Sequence, residues 1–328
     1  MKKTTKTMSL VVVALAVGLA AVASRAQMGD PSKVTLKVTP VAGSVSMIEG
    51  VNGFAGGNVA VSVGDDGVFV VDDEIQPMSA KLKAALVGLS KKPVRFVVNT
   101  HWHADHSGGN PALAAAGAVI VAQDNARKRM AVDQVHTVMG NKMTTPAMPP
   151  AALPVVTFVD DVTLYLNGDE VHVVHVPPAH TDGDAIVHFK KANIIHTGDT
   201  VFAAYPFIDV ESGGQFGGFI TAADRILALA NDATKIIPGH GPLMTKADVV
   251  AWRQMLIDVQ NRVAKLDAAK KSLDDVKAAK PLADLDARWG QGFVKADYFI
   301  DEVWKTRPPA PAATAAASDK THGKHRAK

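Results

Sequence analysis

Cysteine is absent from this sequence. Disulfides, a thiol nucleophile, iron–sulfur clusters and zinc sites built on thiolates are therefore excluded. A chain without thiols is indifferent to redox compartment, so export is permitted but not required. No repeat of solenoid length is present. The apolar run at 8–23, broken only by Ser9 and Gly18, falls short of the roughly 20 residues that span a bilayer. An excess of one charge is lacking too, once position is considered. Lys and Arg number 35 against 32 Asp and Glu, a net of +3, but residues 1–26 and 307–328 each carry +4. That leaves −5 for residues 27–306, so a basic, nucleic-acid-binding body is excluded.

What is present fits a globular protein: 47% apolar and 20% charged residues over a length of 328. The length allows about two domains of roughly 150 residues or one large α/β unit. Lys2, Lys3 and Lys6 precede the apolar run, and Ser24-Arg25-Ala26 offers small residues where a signal peptidase reads. Residues 1–26 are expected to be a cleaved signal, leaving a periplasmic or secreted protein with no stable membrane insertion. Residues 307–328, opening on Pro308-Pro309-Ala310-Pro311 and ending basic, are expected to be a disordered tail with His322 and His325 solvated.

Between these ends, alternation and turn residues predict strands at 34–38, 44–48, 59–63, 68–72, 94–98, 118–121, 155–158, 162–165, 171–176, 185–189, 193–196 and 235–237. Helices are expected at 80–89, after an Asn110 N-cap, at 124–135 and at 221–230. A longer one carries Val249, Trp252, Leu256, Val259, Val263 and Leu266 as a stripe docked on the body. Residues 139–154 read as a loop rich in Pro and Met. Interleaved strands and helices in two similar halves give an α/β or α+β class with mixed sheets.

The chemistry concentrates in His101-Trp102-His103-Ala104-Asp105-His106, four potential ligands in six residues after a buried strand. His180, Asp199 and His240 follow, each in Gly- or Pro-rich sequence just beyond a strand. Imidazole and carboxylate suit zinc, and seven such groups exceed one tetrahedral ion and suffice for two.

The HxHxDH run with these partners resembles the metallo-β-lactamase superfamily over roughly residues 40–245. The resemblance implies a four-layer αββα sandwich of two mixed sheets with outer helices, a hydrolase domain at 27–306 and two Zn2+ at one sheet edge. It assigns His101, His103 and His180 to the first ion, Asp105, His106 and His240 to the second, and Asp199 to a bridge. Asp72 matches an acid that supports the ligand loop. His136, His172, His175, His188 and His196 match no ligand position and read as structural. Many β-lactamases of the superfamily carry Cys or Ser where Asp199 stands. A bridging Asp is similar to the glyoxalase II and general hydrolase branch, which weakens an antibiotic substrate.

Two ions sharing a water lower its pKa toward about 7, and Asp105 is expected to orient that nucleophile. Export disfavours a glutathione thioester, and the acidic body disfavours RNA. A small amide or ester remains: a β-lactam, a lactone or a related acyl compound. The alternatives are a non-hydrolytic metal protein, either a persulfide-dioxygenase-like mononuclear iron enzyme or a zinc-binding module, and a glyoxalase II-like thioesterase. Phe54 in the Gly-rich segment 49–57, the methionines 139, 143 and 148, and Tyr205 and Phe207 are candidate pocket walls.

Overall fold

The computed structural model describes residues 30–307, so the expected signal at 1–26 and residues 308–328 of the expected tail lie outside the described residues. The first half of the chain builds a seven-stranded sheet whose strands lie side by side in chain order. Strands β1 (Thr35–Ala42), β2 (Val45–Val51), β3 (Val59–Gly64) and β4 (Gly67–Val71) run antiparallel. Strands β5 (Val94–Val98), β6 (Val119–Gln123) and β9 (Val156–Phe158) extend the sheet in parallel. The second sheet has six strands: β10 (Asp161–Leu166), β11 (Asp169–His175), β12 (Ala185–Phe189), β13 (Ile194–His196), β14 (Lys235–Ile237) and β15 (Met244–Thr245). Its pairs are antiparallel except β13 with β14.

Period-two alternation explains the layering. Phe69 and Val71 of β4 face Val173, Val187 and Phe189 of the second sheet, with Phe69 edge-on to Phe189 at 5.8 Å. Val68 and Val70, one residue out of phase, face outward with Val59 and Val61. They are covered by Leu82 and Leu86 of α1 (Ser79–Leu89) and by Leu113 of α3 (Asn110–Ala114), which follows the one-turn α2 (Ala104–Ser107). On the far side, Ile186, Ile195 and Ile236 are covered by α5 (Phe216–Leu229), α6 (Lys246–Ala268) and α9 (Ala296–Lys305). The result is a four-layer αββα sandwich. Helix α6 starts on a capping box in which Thr245 and Asp248 exchange side-chain and backbone hydrogen bonds. Its Val249, Trp252, Leu256, Val259 and Val263 are buried on the body, as the stripe predicts. Two short helices, α7 (Leu273–Ala278) and α8 (Asp286–Trp289), connect it to α9. Among the described residues, no helix is long and apolar enough to cross a membrane.

Four local expectations are corrected. The helix expected at 124–135 is α4 (Asp124–Met130), and it stops early. Residues from 134 onward instead form a separate hairpin of β7 (Gln134–Val138) and β8 (Asn141–Thr145), where a helix end and a loop were expected. Gln134-Val135-His136-Thr137-Val138 alternates and is rich in β-branched residues, and Met139 and Gly140 turn with φ of 49° and 79°. Asn110 does not cap α3; its buried amide donates to Asn99. Helix α5 begins five residues before the expected 221, through Gly217 and Gly218. Gly218 has a packing reason, since a Cβ there would stand 1.7 Å from the Pro178 carbonyl oxygen.

Candidate metal centre

The candidate ligands converge where both sheets end their central strands. Strand β5 runs through Asn99 and Thr100 into His101, and Asp72 closes the neighbouring β4. Asp72, fully buried at a φ of 62°, accepts hydrogen bonds from the Thr100 amide (2.7 Å) and Thr100 hydroxyl (2.8 Å). Its Oδ2 also lies 2.8 Å from His106 Nδ1. The one-turn α2 presents Asp105 and His106, and the Asp105 carbonyl is tied to the Gly57 amide at 2.9 Å. His180 follows β11, where Asp184 accepts from the backbone amides of His180 and Thr181 and from the Thr181 hydroxyl. Asp199 follows β13 and His240 follows β14; the Gly239 amide donates to the Gly198 carbonyl at 2.7 Å. Gly239 is required there, because a Cβ would reach within 1.9 Å of Asp199 Oδ1.

Hydrogen-bond partners assign the histidine tautomers. The Thr100 hydroxyl donates to Asp72, so its lone pair accepts from His101 Nδ1 at 3.1 Å. His180 Nδ1 donates to the Phe207 carbonyl at 2.8 Å, and His103 Nε2 to Asp209 Oδ2 at 2.9 Å. Burial, then the neighbouring His106 and His180, pushes His101 well down; burial and His103 push His180 down to about 4. Both imidazoles are therefore neutral, with the outer nitrogen protonated and the inner lone pair exposed to the cluster.

Those inner atoms are crowded together. His103 Nδ1 stands 2.8 Å from His180 Nε2 and 3.2 Å from His101 Nε2. One proton on His103 could satisfy only one of two facing lone pairs, so the triad calls for a cation at its centre. The spacing fits: metal–nitrogen bonds of about 2.0–2.1 Å in a tetrahedron separate their ligand atoms by about 3.3 Å. The second half of the cluster is acidic. His240 Nε2 lies 3.1 Å from His106 Nε2, 3.3 Å from Asp105 Oδ2 and 3.5 Å from Asp199 Oδ2. Burial opposes charge on His240, yet Asp199 and Asp105 outweigh it and raise the imidazole to about 9. Burial likewise resists ionisation of Asp105 and Asp199, and is overcome by His106 and His240, which hold both carboxyls low. Among the described residues, Asp199 Oδ1 is buried without a hydrogen bond, 3.2 Å from His106 Nε2. His101, His103 and His180, then His101, His106 and Asp199, then Asp105, His106 and His240 each gather their ligand atoms within 4.8 Å. This donor set fits divalent metal ions.

All seven residues singled out in the sequence thus meet, and Asp72 braces them from behind. Phe54 stacks on His240 at 6.0 Å, and the Phe207 ring lies 5.7 Å from that of His180. Tyr205 is a correction: it is a core residue, 1% exposed, whose hydroxyl donates to Asp286 while its ring stacks on Phe299. Of the methionines, Met148 packs beside Trp102, Met139 against the α5–α6 core, and Met143 is exposed. The sequence reading missed Thr100, Asp184 and Asp209. The only signal for Asp209 is one acid in an otherwise apolar stretch, residues 205–210.

The family model of the metallo-beta-lactamase superfamily matches residues 52–240. The 2,4-dinitroanisole O-demethylase subunit alpha of Nocardioides sp. (strain JS1661) is 25% identical over 180 residues, covering 54% of this chain and 50% of that protein. The hydroxyacylglutathione hydrolase of Erythrobacter litoralis (strain HTCC2594) is 31% identical over 111 residues, 34% of this chain and 35% of that one. The chain therefore spans half or less of these relatives' lengths. Among solved structures, a metallo-beta-lactamase from Pontibacter korlensis superposes with a TM-score of 0.55 at 21% identity, covering 68% of this chain and all of that one. That likeness is one of fold.

Proposed function

The chain belongs to the metallo-β-lactamase superfamily, and from that premise we propose that it is an exported dinuclear zinc hydrolase of small amides or esters. The observation that carries the reading is the convergence of neutral imidazole lone pairs beside an acidic half-site, two adjacent demands for positive charge. His101, His103 and His180 would hold one ion, Asp105, His106 and His240 the other, with Asp199 between them. Two ions held there supply an acidified water and a Lewis acid for the scissile carbonyl. The protein's own groups do the rest. Asp105 and His240 keep side-chain exposures of 27% and 30%, while His106 is fully buried, so substrate approaches over the Asp105–His240 edge. Asp105, held ionised, would accept a hydrogen bond from the attacking water and orient it. Phe54 at that edge and Phe207 beside His180 give apolar surface to the substrate.

The substrate is a small molecule rather than a nucleic acid, because residues 27–306 carry a net −5. Export rests on the basic, apolar and small-residue succession of residues 1–26. Similarity to a hydroxyacylglutathione hydrolase favours a thioester as the second reading. The test is metal analysis of the purified protein together with a panel of β-lactams, lactones, esters and acyl thioesters. Two zinc ions per chain with turnover of an amide or ester is the expected result. Turnover of thioesters alone selects the second reading. One iron per chain, or two zinc ions with no turnover of any panel member, overturns the hydrolase.

A further inference from the structure

The β7–β8 hairpin pairs with neither main sheet, yet it lies against the metal-facing cluster. His136 on β7 is only 6% exposed, and its ring stacks on that of His103 at 5.6 Å with 27° between the planes. Trp102 meets it edge-on at 5.3 Å. Among the described residues its Nδ1 is buried without a partner, so the ring completes no hydrogen-bond network there. The same strand is tied to the C-terminal helices: the Tyr298 hydroxyl of α9 donates to the Thr137 carbonyl at 3.3 Å. Tyr298 also stacks on Phe207 at 6.2 Å, and Phe207 in turn lies 6.4 Å from the His103 ring. Tyr298 stands beyond residue 240, where the family match ends, so the hairpin is seated by a part of the chain outside that match.

We propose that His136 is a specificity-determining residue, the wall on the His103 side of the site that restricts the substrate to a compact acyl group, and that Tyr298 sets where this wall stands. The inference rests on the metal-centred reading above. Stacked rings leave no slot between His136 and His103 for another planar group. A carbonyl at the cluster can therefore carry only a small substituent toward the hairpin, while its larger portion extends over the open Asp105–His240 edge. Replacing the imidazole by a methyl group would open a ring-sized slot beside His103.

The test uses the zinc-loaded full chain and two chelating probes, acetohydroxamic acid and benzohydroxamic acid, with dissociation constants from calorimetry and zinc content from metal analysis. Neither probe needs to be hydrolysed. His136→Ala is expected to favour the benzo over the aceto probe by about tenfold more than wild type, at unchanged zinc content. His136→Phe keeps a ring and should keep the wild-type preference. Tyr298→Ala, which leaves His136 in place, should move the preference in the same direction as His136→Ala and serves where that variant does not fold. A preference unchanged within about twofold in both alanine variants overturns the wall and leaves the metal reading intact. Loss of zinc in His136→Ala but not in His136→Phe makes the ring a prop for His103 and also overturns it. Failure of both probes to bind the wild type overturns the metal reading and the wall together.

Discussion

Four imidazoles are aimed by four acceptors. Thr100, Asp209, Asp72 and the Phe207 carbonyl each engage the outward nitrogen of His101, His103, His106 and His180, which turns the other nitrogen inward. Such partners fix tautomer and orientation, so their loss weakens metal affinity without touching a ligand. Asp209→Asn keeps the shape but loses the charge that holds the His103 proton. Competition against a chromophoric chelator should show zinc affinity reduced about 10–100-fold, with an unchanged circular dichroism spectrum. Unaltered affinity would remove Asp209 from this role. Asp105→Asn tests the nucleophile's orientation: turnover should fall about 10²–10⁴-fold with the fold retained, and undiminished turnover would refute the assignment. Residues of the HxHxDH run were legible because their ligand spacing is local. Asp209 was not, since it meets His103 across 106 positions that only the fold brings together. Tyr205 misled for the related reason that proximity in sequence to Asp199 says nothing of which way a ring turns.

At the scale of elements, strands announced themselves through alternation, and their ends supplied the site. Strands β5, β12 and β14 fall where the pattern places them, at 94–98, 185–189 and 235–237. The β7–β8 hairpin did not, because β7 follows directly on the helical run of α4 and β8 opens a segment rich in Pro and Met, so neither reads as a strand until its partner is known. Helix α6 was readable from its stripe, but its second role was not. Trp252, fully buried on that stripe, donates from Nε1 to the Ala204 carbonyl at 2.9 Å. It thereby steadies the segment that goes on to carry Phe207 and Asp209. Trp252→Ala should lower the unfolding free energy by about 3–5 kcal/mol, measured by denaturant titration. A loss below about 1 kcal/mol would mean that α6 is not docked through this residue.

Across the whole molecule, the net charge of +3 conceals an acidic body whose chemistry lies in buried imidazoles and carboxylates that a Lys/Arg count does not register. Those groups couple stability to pH in opposite senses. His180 is pushed by burial from its ordinary 6.5 to about 4. Below pH 6.5 the unfolded chain therefore binds the proton that the folded chain refuses, and this contribution to stability is lost as pH falls from 6.5 toward 4. His101, displaced the same way chiefly by burial, adds to that loss. His240 is raised to about 9, burial being outweighed by Asp199 and Asp105, so its contribution is full below 6.5 and is lost as pH climbs through 9. His180 and His240 favour a melting maximum for the metal-free chain near pH 6.5, while Asp184 and Glu74, raised by burial to about 7 and about 8, lose their contribution as pH climbs through those values and draw the maximum toward acid. Zinc changes the alkaline limb, because a bound ion supplies the positive charge that a proton on His240 otherwise supplies. It steepens the acid limb, because protons then displace the ion from its imidazoles. Melting temperatures from pH 4 to 9, with zinc and with chelator, check both limbs. An alkaline loss of equal size in the two forms would show that His240 does not hold the ion.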